Sequence, residues 1–480
     1  MAFTIPKTIG TGGNFSTVQL WEDGAPANLV TAEKSAAGTF LVAGFTQGEA
    51  LSFIGSGATG KFLDTDSTGI GTGTYISYGI TAGNPAAGDT VTGATSGATC
   101  VLSSSTPTDV GCVWQGQCKN QEFVVAAGVV VILGGTTSSS AYKELTTEAG
   151  ASFRDNANAQ TNALRYNAAN GAALRSTSAT ATTVTAANET FAKITNLQIA
   201  ATGANARGLA TNRAIRLENL IIEGTYTDVS TANGVLSLTV TLASITAANC
   251  AIIQRASGAD NIVGTIAAAP SFYNCTFAAA DDLAAAPTSI FNTGPAGPVV
   301  TVQNCGLFAG DDSKALVQGS ASFNFTTCFS DIGGTSGVTQ ATYADQFEDV
   351  TDAARDFRLK DGADMIDAGT TDATNAQFDI VGTERPQGSA YDVGCWELIG
   401  GTPPTPTPTP EVAGAQGYGG AVNRHAVQKQ RDRKRDAQDA EDIADILALA
   451  LPTIQAASQP ATIPAIGPGE GGTRRTHGAK

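Results

Sequence analysis

The amino-acid sequence predicts an all-β fold, a parallel β-helix wound from a single chain. Short segments rich in β-forming residues recur from about residue 120 to 400, and Gly, Asn, Asp, Ser and Thr separate them. Helical periodicity is absent from this region. An Asn returns at the start of these segments every 23 to 30 residues. Repeats of about 20–50 residues are typical of solenoids, in which each turn contacts only its neighbours.

The repeated Asn residues predict a ladder of stacked bends. They are Asn196, Asn219, Asn249, Asn274 and Asn304, with Thr327 in the equivalent sixth position. The residues that follow four of these bends are Cys250, Cys275, Cys305 and Cys328. Asn tolerates unusual backbone angles and can hydrogen-bond along a stack, and the small Cys side chain suits a narrow interior. A β-sandwich with chance Asn-Cys pairs is the alternative.

The two ends of the region carry a more specific pattern. Residues 10–24 read GTGGNFSTVQLWEDG, a Gly-rich turn followed by Phe15, Thr17 and a short apolar run to Trp21. Towards residue 400 the chain reads IDAG, then DIVGTERP, then DVGCWE. Both patterns resemble right-handed parallel β-helix proteins of the pectate-lyase-like type, whose closing signature usually has Ala at the position of Cys395. The resemblance implies a right-handed solenoid with an N-terminal cap.

The closing signature is interpreted as structural rather than catalytic. Its residues are Asp367, Gly369, Asp379, Gly382, Arg385, Pro386, Asp392, Gly394 and Glu397. The carboxylates and the guanidinium are suited to a charge-assisted network that closes the last coil. A cap is expected there because an open solenoid end exposes unpaired strand edges.

Composition divides the chain into successive segments. Residues 1–44 are assigned to the N-terminal cap and first coil, 45–112 to a small β-rich insertion, and 113–400 to the β-helix with its closing cap. In the insertion, GDTVTG followed by SGATCV resembles a small β-hairpin unit of phage tail and capsid-associated proteins. Residues 401–420 are a linker that contains GTPPTPTPTP, which favours an extended polyproline II spacer.

The C-terminal segment has a different character. Residues 421–451 lack Gly and Pro and predict a charged amphipathic helix, whereas residues 452–480 predict a disordered tail. The apolar face of the helix carries Ile443, Ile446, Leu447 and Leu451. Such a face predicts docking onto a partner or self-association. The alternative is a tail that folds back onto the body.

Charge and histidine content exclude several classes of function. Residues 1–410 hold 18 Lys plus Arg and 35 Asp plus Glu, a net charge of −17, whereas residues 411–480 have a net charge of +1. This acidity disfavours nucleic acid as a partner of the main body, and no apolar run has the length that membrane insertion needs. Both His residues, His425 and His477, lie near the C-terminus. A Ser-His-Asp triad or a His-ligated zinc site is therefore excluded before residue 420.

Carboxylate pairs are the remaining catalytic candidates. Asp281, Asp282, Asp311 and Asp312 lie in predicted loops, where two of them could act as acid and base. Turn formation or solvation is the favoured interpretation. The spacing of Asp361, Asp364 and Asp367 does not match a calcium loop, and we predict neither a metal site nor a cofactor.

Cysteine usage is compatible with a reducing compartment. Cys112 and Cys118 are close enough in the sequence to pair, but free thiols are the favoured interpretation, because cytosolic thiols normally stay reduced. The first ten residues, MAFTIPKTIG, lack the apolar run of an export signal, which fits folding in the cytoplasm.

Three functional hypotheses follow. The first is a structural protein of a tailed-bacteriophage virion, assembled in the host cytoplasm: a tail fibre, spike or head decoration. Such a protein would bind another virion protein through its C-terminal tail and host polysaccharide through the face of the β-helix. The second is a tailspike-type polysaccharide-degrading enzyme that uses the loop carboxylates, and the third is a bacterial surface adhesin. The fold also leaves a homotrimer as one option for the assembly.

Overall fold

A computed structural model describes residues 3–400. The positions left out within that range are 47, 66–74, 104–107, 110, 126–129, 134, 188, 204, 227–233, 239–243, 256–260, 267–268, 281–282, 284–285, 294–298 and 373. The predicted linker 401–420, helix 421–451 and tail 452–480 therefore lie outside the described residues, as do Asp281 and Asp282. The four proposed docking residues Ile443, Ile446, Leu447 and Leu451 lie outside them as well.

Equivalent strands of successive turns pair side by side and form three parallel sheets that run along the solenoid. This arrangement confirms the predicted parallel β-helix. Sheet A contains Phe3–Ile9, Cys112–Cys118, Lys143–Thr147, Ala192–Thr195, Ile215–Glu218, Ile245–Ala248, Ser271–Tyr273, Val300–Gln303 and Phe323–Thr326. Sheet B contains Glu122–Val125, Ala173–Ser176, Gln198–Ala201, Ile221–Gly224, Ala251–Gln254, Thr276–Ala279, Gly306–Phe308, Cys328–Ser330 and Val338–Gln340. Sheet C contains Val130–Leu133, Val184–Ala187, Leu209–Thr211, Gly234–Leu238, Asn261–Ile266, Ser289–Thr293 and Ala315–Gln318. The β-sandwich alternative is wrong, because each strand pairs in parallel with the equivalent strand of the next turn.

The interior of the solenoid is one continuous apolar core. Side chains alternate in and out along each strand, so that Ile194, Leu217 and Val302 of sheet A are buried. Like residues stack from turn to turn: Ile194 of one turn pairs with Leu217 of the next. The stacking explains why the repeat tolerates loops of different length, since only the strands enter the core.

The N-terminal segment covers the first turn. A short helix, α1 (Val18–Asp23), begins at Thr17, whose side chain accepts a hydrogen bond from the Leu20 backbone N–H. Trp21 is fully buried against the strand Cys112–Cys118. A Cβ atom at Gly116 would lie 2.6 Å from the Trp21 ring, so this close approach requires glycine.

A buried ion-pair cluster connects α1 to the solenoid. Lys143 Nζ lies 2.6 Å from the Glu22 carboxylate and 2.8 Å from that of Glu189. All three side chains are less than one-tenth exposed. Removing the Lys143 side chain would leave two buried carboxylates without their cation, and breaking a buried ion pair typically costs about 3–5 kcal/mol. The cluster therefore holds α1 in place.

The insertion is a small antiparallel barrel that begins earlier than predicted. Its strands are Glu33–Val42, Ala50–Ile54, Thr59–Thr65, Tyr75–Ala82, Thr90–Gly93, Thr99–Leu102 and Thr108–Asp109. Tyr75–Ala82 pairs with Glu33–Val42 and closes the ring. The predicted boundary at residue 45 is thus corrected to about Glu33, and Cys112 belongs to sheet A. The first strand lies in the barrel because its inward residues, such as Ala36, join the barrel core.

A second apolar core lies on the outer face of sheet B. The remaining elements are a 3-10 helix at Phe153–Asp155, the helix α2 (Tyr343–Gln346), and a two-stranded sheet of Phe347–Asp349 with Asp356–Leu359. They and the segment 363–398 pack on outward-facing residues such as Ile221, Ile253 and Phe308. In the part of the chain that the structure describes, no helix has the length and apolarity to cross a membrane.

Candidate functional site

The predicted ladder residues share one backbone conformation. Their φ angles are 60° at Asn196, 53° at Asn219, 51° at Asn249, 48° at Asn274 and 52° at both Asn304 and Thr327. Asn adopts this left-handed region more readily than other residues that have a Cβ atom. Each residue forms the sharp bend between a strand of sheet A and the following strand of sheet B.

Side-chain amides link neighbouring bends along the stack. Asn219 Nδ2 donates to Asn196 Oδ1 at 3.1 Å, and Asn249 Nδ2 donates to Asn219 Oδ1 at 3.4 Å. Asn304 Nδ2 donates to Asn274 Oδ1, also at 3.4 Å. The ladder therefore consists of two linked runs, one of three Asn residues and one of two.

The Asn ladder also binds other parts of the chain. Arg154 Nη1 donates to Asn196 Oδ1 at 2.8 Å, and Asn249 Nδ2 donates to the Phe378 carbonyl at 2.7 Å. Asn304 pairs with the backbone of Thr370. The segment 363–398, called the returning segment below, thus lies along the ladder and across several turns.

The predicted cysteines are inward-facing and free. Cys250, Cys275, Cys305 and Cys328 are fully buried beside the bends. Burial raises the pKa of the Cys328 thiol to about 11. Cys112 and Cys118 lie at opposite ends of one strand and are free as well. All eight cysteines of the chain are buried and free, so that none offers an accessible thiolate nucleophile at neutral pH.

The closing signature forms a buried polar network around Arg385. Its Nη1 donates to the Asp392 carbonyl and its Nη2 to the Gly394 carbonyl, both at 2.8 Å. Nη1 also lies 3.4 Å from the Glu397 carboxylate. Burial raises the pKa of Glu397 to about 7, and the neighbouring Asp392 charge adds to this effect. Pro386 follows through a cis peptide bond.

The carboxylates of the signature mainly accept backbone hydrogen bonds. Asp379 accepts from Val381, Thr383 and Glu397 N–H groups at 2.6–3.1 Å. Asp392 accepts from Asp367 and Leu398, and Asp367 accepts from Ala390. Gly369 donates to the Tyr391 carbonyl at 2.7 Å. Gly382 and Gly394 have φ angles of 93° and 95°, which favour glycine. The network therefore shapes irregular backbone.

The returning segment packs along the outer face of sheet B, on the flank of the solenoid. The Asp379 carbonyl accepts from Arg154, whereas Gly394 N–H donates to the Asn304 carbonyl at 2.8 Å. These contacts span turns from near the beginning of the solenoid to near its end. The outer face of sheet B is apolar, and an apolar face of that size needs a cover.

Of the predicted acidic candidates, Asp311 and Asp312 border a cleft of about 500 Å³. Asp311 accepts from Ser313 N–H at 2.9 Å and lies 3.4 Å from Lys314 Nζ. The cleft also contains Asp331, a residue that the sequence analysis did not single out. Burial raises the pKa of Asp331, although its carboxylate accepts from Ala309 and Gly310 N–H groups. Asp311 and Asp331 thus each stabilise a turn.

The acidic residues near the closing signature also form internal contacts. Asp364 Oδ2 accepts from Gln346 Nε2 at 3.2 Å, and Asp367 Oδ1 accepts from Ala390 N–H at 3.0 Å. Among the described residues of the chain, no cluster of three or more His, Cys, Asp or Glu side chains is arranged to hold a metal ion.

The outer face of sheet A is a flat, largely polar surface. Outward positions align from turn to turn, and one column contains Gln115, Glu144, Lys193, Arg216, Thr246, Ser271, Thr301 and Asn324. Beside this column, Tyr142 and Phe191 lie on consecutive turns with ring centroids 5.1 Å apart. They border a groove of about 460 Å³. This sheet A groove combines aromatic and charged side chains.

Sequence reasoning missed the groove and the buried Lys143 cluster for different reasons. In the strand KELTT, Lys143 lies two residues before the buried Leu145 and therefore on the same face of the strand. This spacing is a detectable sign that Lys143 faces inward. Tyr142 and Phe191 are 49 residues apart, and only the register of sheet A places them together. Asp331 follows a ladder Cys by three residues, yet no sequence feature assigns it to the cleft.

Comparisons of the chain with models of protein families, with curated proteins and with solved structures found no match.

Proposed function

We propose that the protein is a structural component of a tailed-bacteriophage virion that displays a rigid binding surface on the particle. The observation that carries the proposal is the outer face of sheet A, where eight of the nine stacked strands each add a polar side chain to one aligned column. Strands joined over many turns hold such a surface rigid. A flat array of hydroxyl, amide and charged groups suits weak contacts repeated along a polymer or a neighbouring subunit.

Two features of the sequence support the virion assignment. The closing signature and the opening cap resemble pectate-lyase-like right-handed β-helix proteins, and the GDTVTG and SGATCV motifs of the insertion resemble a small β-hairpin unit of phage tail and capsid-associated proteins. The insertion is a separate barrel with its own core, as expected for a module added to the solenoid. On the particle the protein serves as a tail fibre, a spike or a head decoration.

The C-terminal segment supplies the attachment in this proposal. Its pattern of Ile443, Ile446, Leu447 and Leu451 at helical spacing predicts an apolar face, and the Thr-Pro linker provides reach. The occupant of that face is another virion protein.

Mass spectrometry of gradient-purified virions tests the proposal. We expect the full-length chain in a fixed copy number per particle. A variant with Ile446→Asp and Leu447→Asp should fold normally but be lost from the particles, whereas the matched variant Gln438→Asp and Ala440→Asp should be retained. Absence of the wild-type chain from intact virions would overturn the proposal.

A second candidate function is favoured by one observation, the cleft that contains Asp311, Asp312 and Asp331. A polysaccharide-degrading activity would use two of these carboxyl groups as acid and base. The test measures reducing ends released from host capsule. Asp312→Asn and Asp331→Asn should abolish release, whereas Asp349→Asn, a change at an exposed turn carboxylate, should not. Equal release by all three variants would exclude the cleft as the catalytic site.

A further inference from the structure

The sheet A groove contains an aromatic wall that is open to solvent. Tyr142 and Phe191 each precede a strand of sheet A and lie on consecutive turns, with ring planes inclined at 68°. Both side chains are partly exposed, although apolar ring surface is usually buried when it has no partner. A half-buried aromatic pair presents a stiff apolar surface against which the C–H face of a sugar ring can pack.

The floor of the groove carries paired charges. Lys193 Nζ lies 2.9 Å from the Glu218 carboxylate and 3.5 Å from that of Glu144. Arg216 also pairs with Glu218. Lys193, Arg216 and Glu218 line the groove, and with Glu144 beside it each cation has a carboxylate partner. Such pairs offer both donors and acceptors at a short distance, as a hydroxyl-rich ligand requires.

Hydroxyl groups continue the same surface beyond the charged pairs. Ser244 and Thr246 border the groove on the next turn. Ser271 and Thr301 follow Thr246 in the same outward column of sheet A. Successive turns are spaced by about 4.8 Å, so a polymer lying along the column meets a polar side chain at every turn.

We infer that the sheet A groove binds a neutral polysaccharide, with one pyranose ring against Tyr142 and Phe191. The inference rests on the proposed function, since it names the ligand class of the displayed surface. Neutral sugars fit better than acidic ones because Lys193 and Arg216 are already paired with carboxylates, and residues 1–410 have a net charge of −17, which repels an acidic polymer. Hydroxyls of the sugar bind the Lys193–Glu218 and Arg216–Glu218 pairs.

Affinity electrophoresis of the full-length protein tests the inference. Native gels contain dextran, galactan or mannan as neutral polymers, or polygalacturonate or alginate as acidic ones. We expect retardation by at least one neutral polymer and none by the acidic polymers. Retardation by acidic polymers alone, or by none of the five, would overturn the inference.

Variants locate the binding site. Tyr142→Ala and Phe191→Ala should each weaken binding about tenfold, as expected for loss of one aromatic contact. Arg216→Ala should also weaken binding, and its side chain is 37% exposed, so folding is not at risk. Tyr273→Ala is the matched control, because Tyr273 is an outward-facing aromatic of the same sheet outside the groove. If Tyr273→Ala weakens binding as much as Tyr142→Ala, the assignment to the groove is wrong.

The two proposals fail in different ways. Sugar binding by a protein that is absent from virions would remove the proposed function and keep the groove. Presence in virions without binding to any of the polymers would remove the groove and keep the proposed function.

Discussion

The carboxamide of Asn304 is hydrogen-bonded to Thr370 in both directions. Its Nδ2 donates to the Thr370 carbonyl at 2.7 Å, and its Oδ1 accepts from the Thr370 N–H at 2.9 Å. Asn304 is a fully buried bend of the solenoid, whereas Thr370 belongs to the returning segment. One side chain therefore stabilises a left-handed bend and holds the cover on the flank of the solenoid.

Loss of the Asn304 side chain should destabilise the protein more than loss of a ladder Asn that contacts only its neighbours. Asn304→Gly keeps the left-handed bend accessible but leaves the Thr370 backbone unpaired, which should cost about 2–3 kcal/mol. Asn219→Gly, which breaks contacts along the stack, should cost about 1 kcal/mol. Urea unfolding measures both. Equal losses would show that the returning segment does not depend on this contact.

Thr327 is the one β-branched residue among the six bends, and its φ angle is 52°. A β-branched side chain is strained in this region, by about 1–2 kcal/mol. Thr327→Asn should therefore raise the free energy of unfolding by about 1 kcal/mol, visible as a higher denaturant midpoint. The opposite substitution at a bend that contacts its ladder neighbours, Asn219→Thr, should lower the midpoint. A destabilising Thr327→Asn would contradict the strain argument.

Arg385 should be required for the returning segment to stay folded. Arg385→Met removes the donors to the Asp392 and Gly394 carbonyls and leaves Glu397 buried without its cation, at a cost of about 3–5 kcal/mol. Adding Glu397→Gln should recover part of that loss. Limited proteolysis is the measurement, with cleavage expected first within 363–398. A double variant as unstable as Arg385→Met alone would argue against a charge effect.

Stability should depend on pH through Glu33, a buried carboxyl of the insertion. Burial raises its pKa to about 7, above the value of about 4.3 for an unfolded chain. The folded state therefore holds the proton more tightly. The stabilisation that comes from the protonated Glu33 carboxyl is fully present below about pH 4 and is lost as the pH rises to about 7.

Glu33→Gln should remove the share of this pH dependence that Glu33 contributes, whereas Glu397, whose pKa burial also raises to about 7, keeps its own. At pH 8 the variant should be more stable than the wild type by roughly 2 kcal/mol, and at pH 4 the two should be similar. Thermal unfolding across this range measures the difference. Glu348→Gln, at an exposed carboxyl, is the control and should follow the wild type at every pH. Parallel curves for Glu33→Gln and the wild type would refute the assignment.

The repeated bends could be predicted because they depend on local chemistry. A left-handed bend selects Asn at Asn196 and again at Asn219, and the narrow interior selects Cys at Cys250 and Cys275, so both choices appear directly in the sequence. The start of the insertion at Glu33 could not be predicted in the same way. The segment from Glu33 to Val42 is strand-like in either location, and only its pairing with Tyr75–Ala82 assigns it to the barrel.

The closing signature likewise has features that the sequence predicts and features that only the tertiary structure shows. Its residue types predict a structural network, and Arg385 lies at the centre of one, but the sequence does not show which surface of the solenoid the segment packs on. Position depends on which surface needs a cover. That surface is assembled from Ile221, Ile253 and Phe308, three outward residues on three different turns.

By itself, the sequence determined the class of fold, the positions of the bends and the residue types at each bend, because these follow from backbone conformation and short-range packing. The tertiary structure decided what meets across the turns: the returning segment on the flank, the buried Lys143 cluster, and the aromatic pair of Tyr142 and Phe191. These contacts join residues tens to hundreds of positions apart. Their geometry is a property of the stacking register, which is set cooperatively by the whole solenoid.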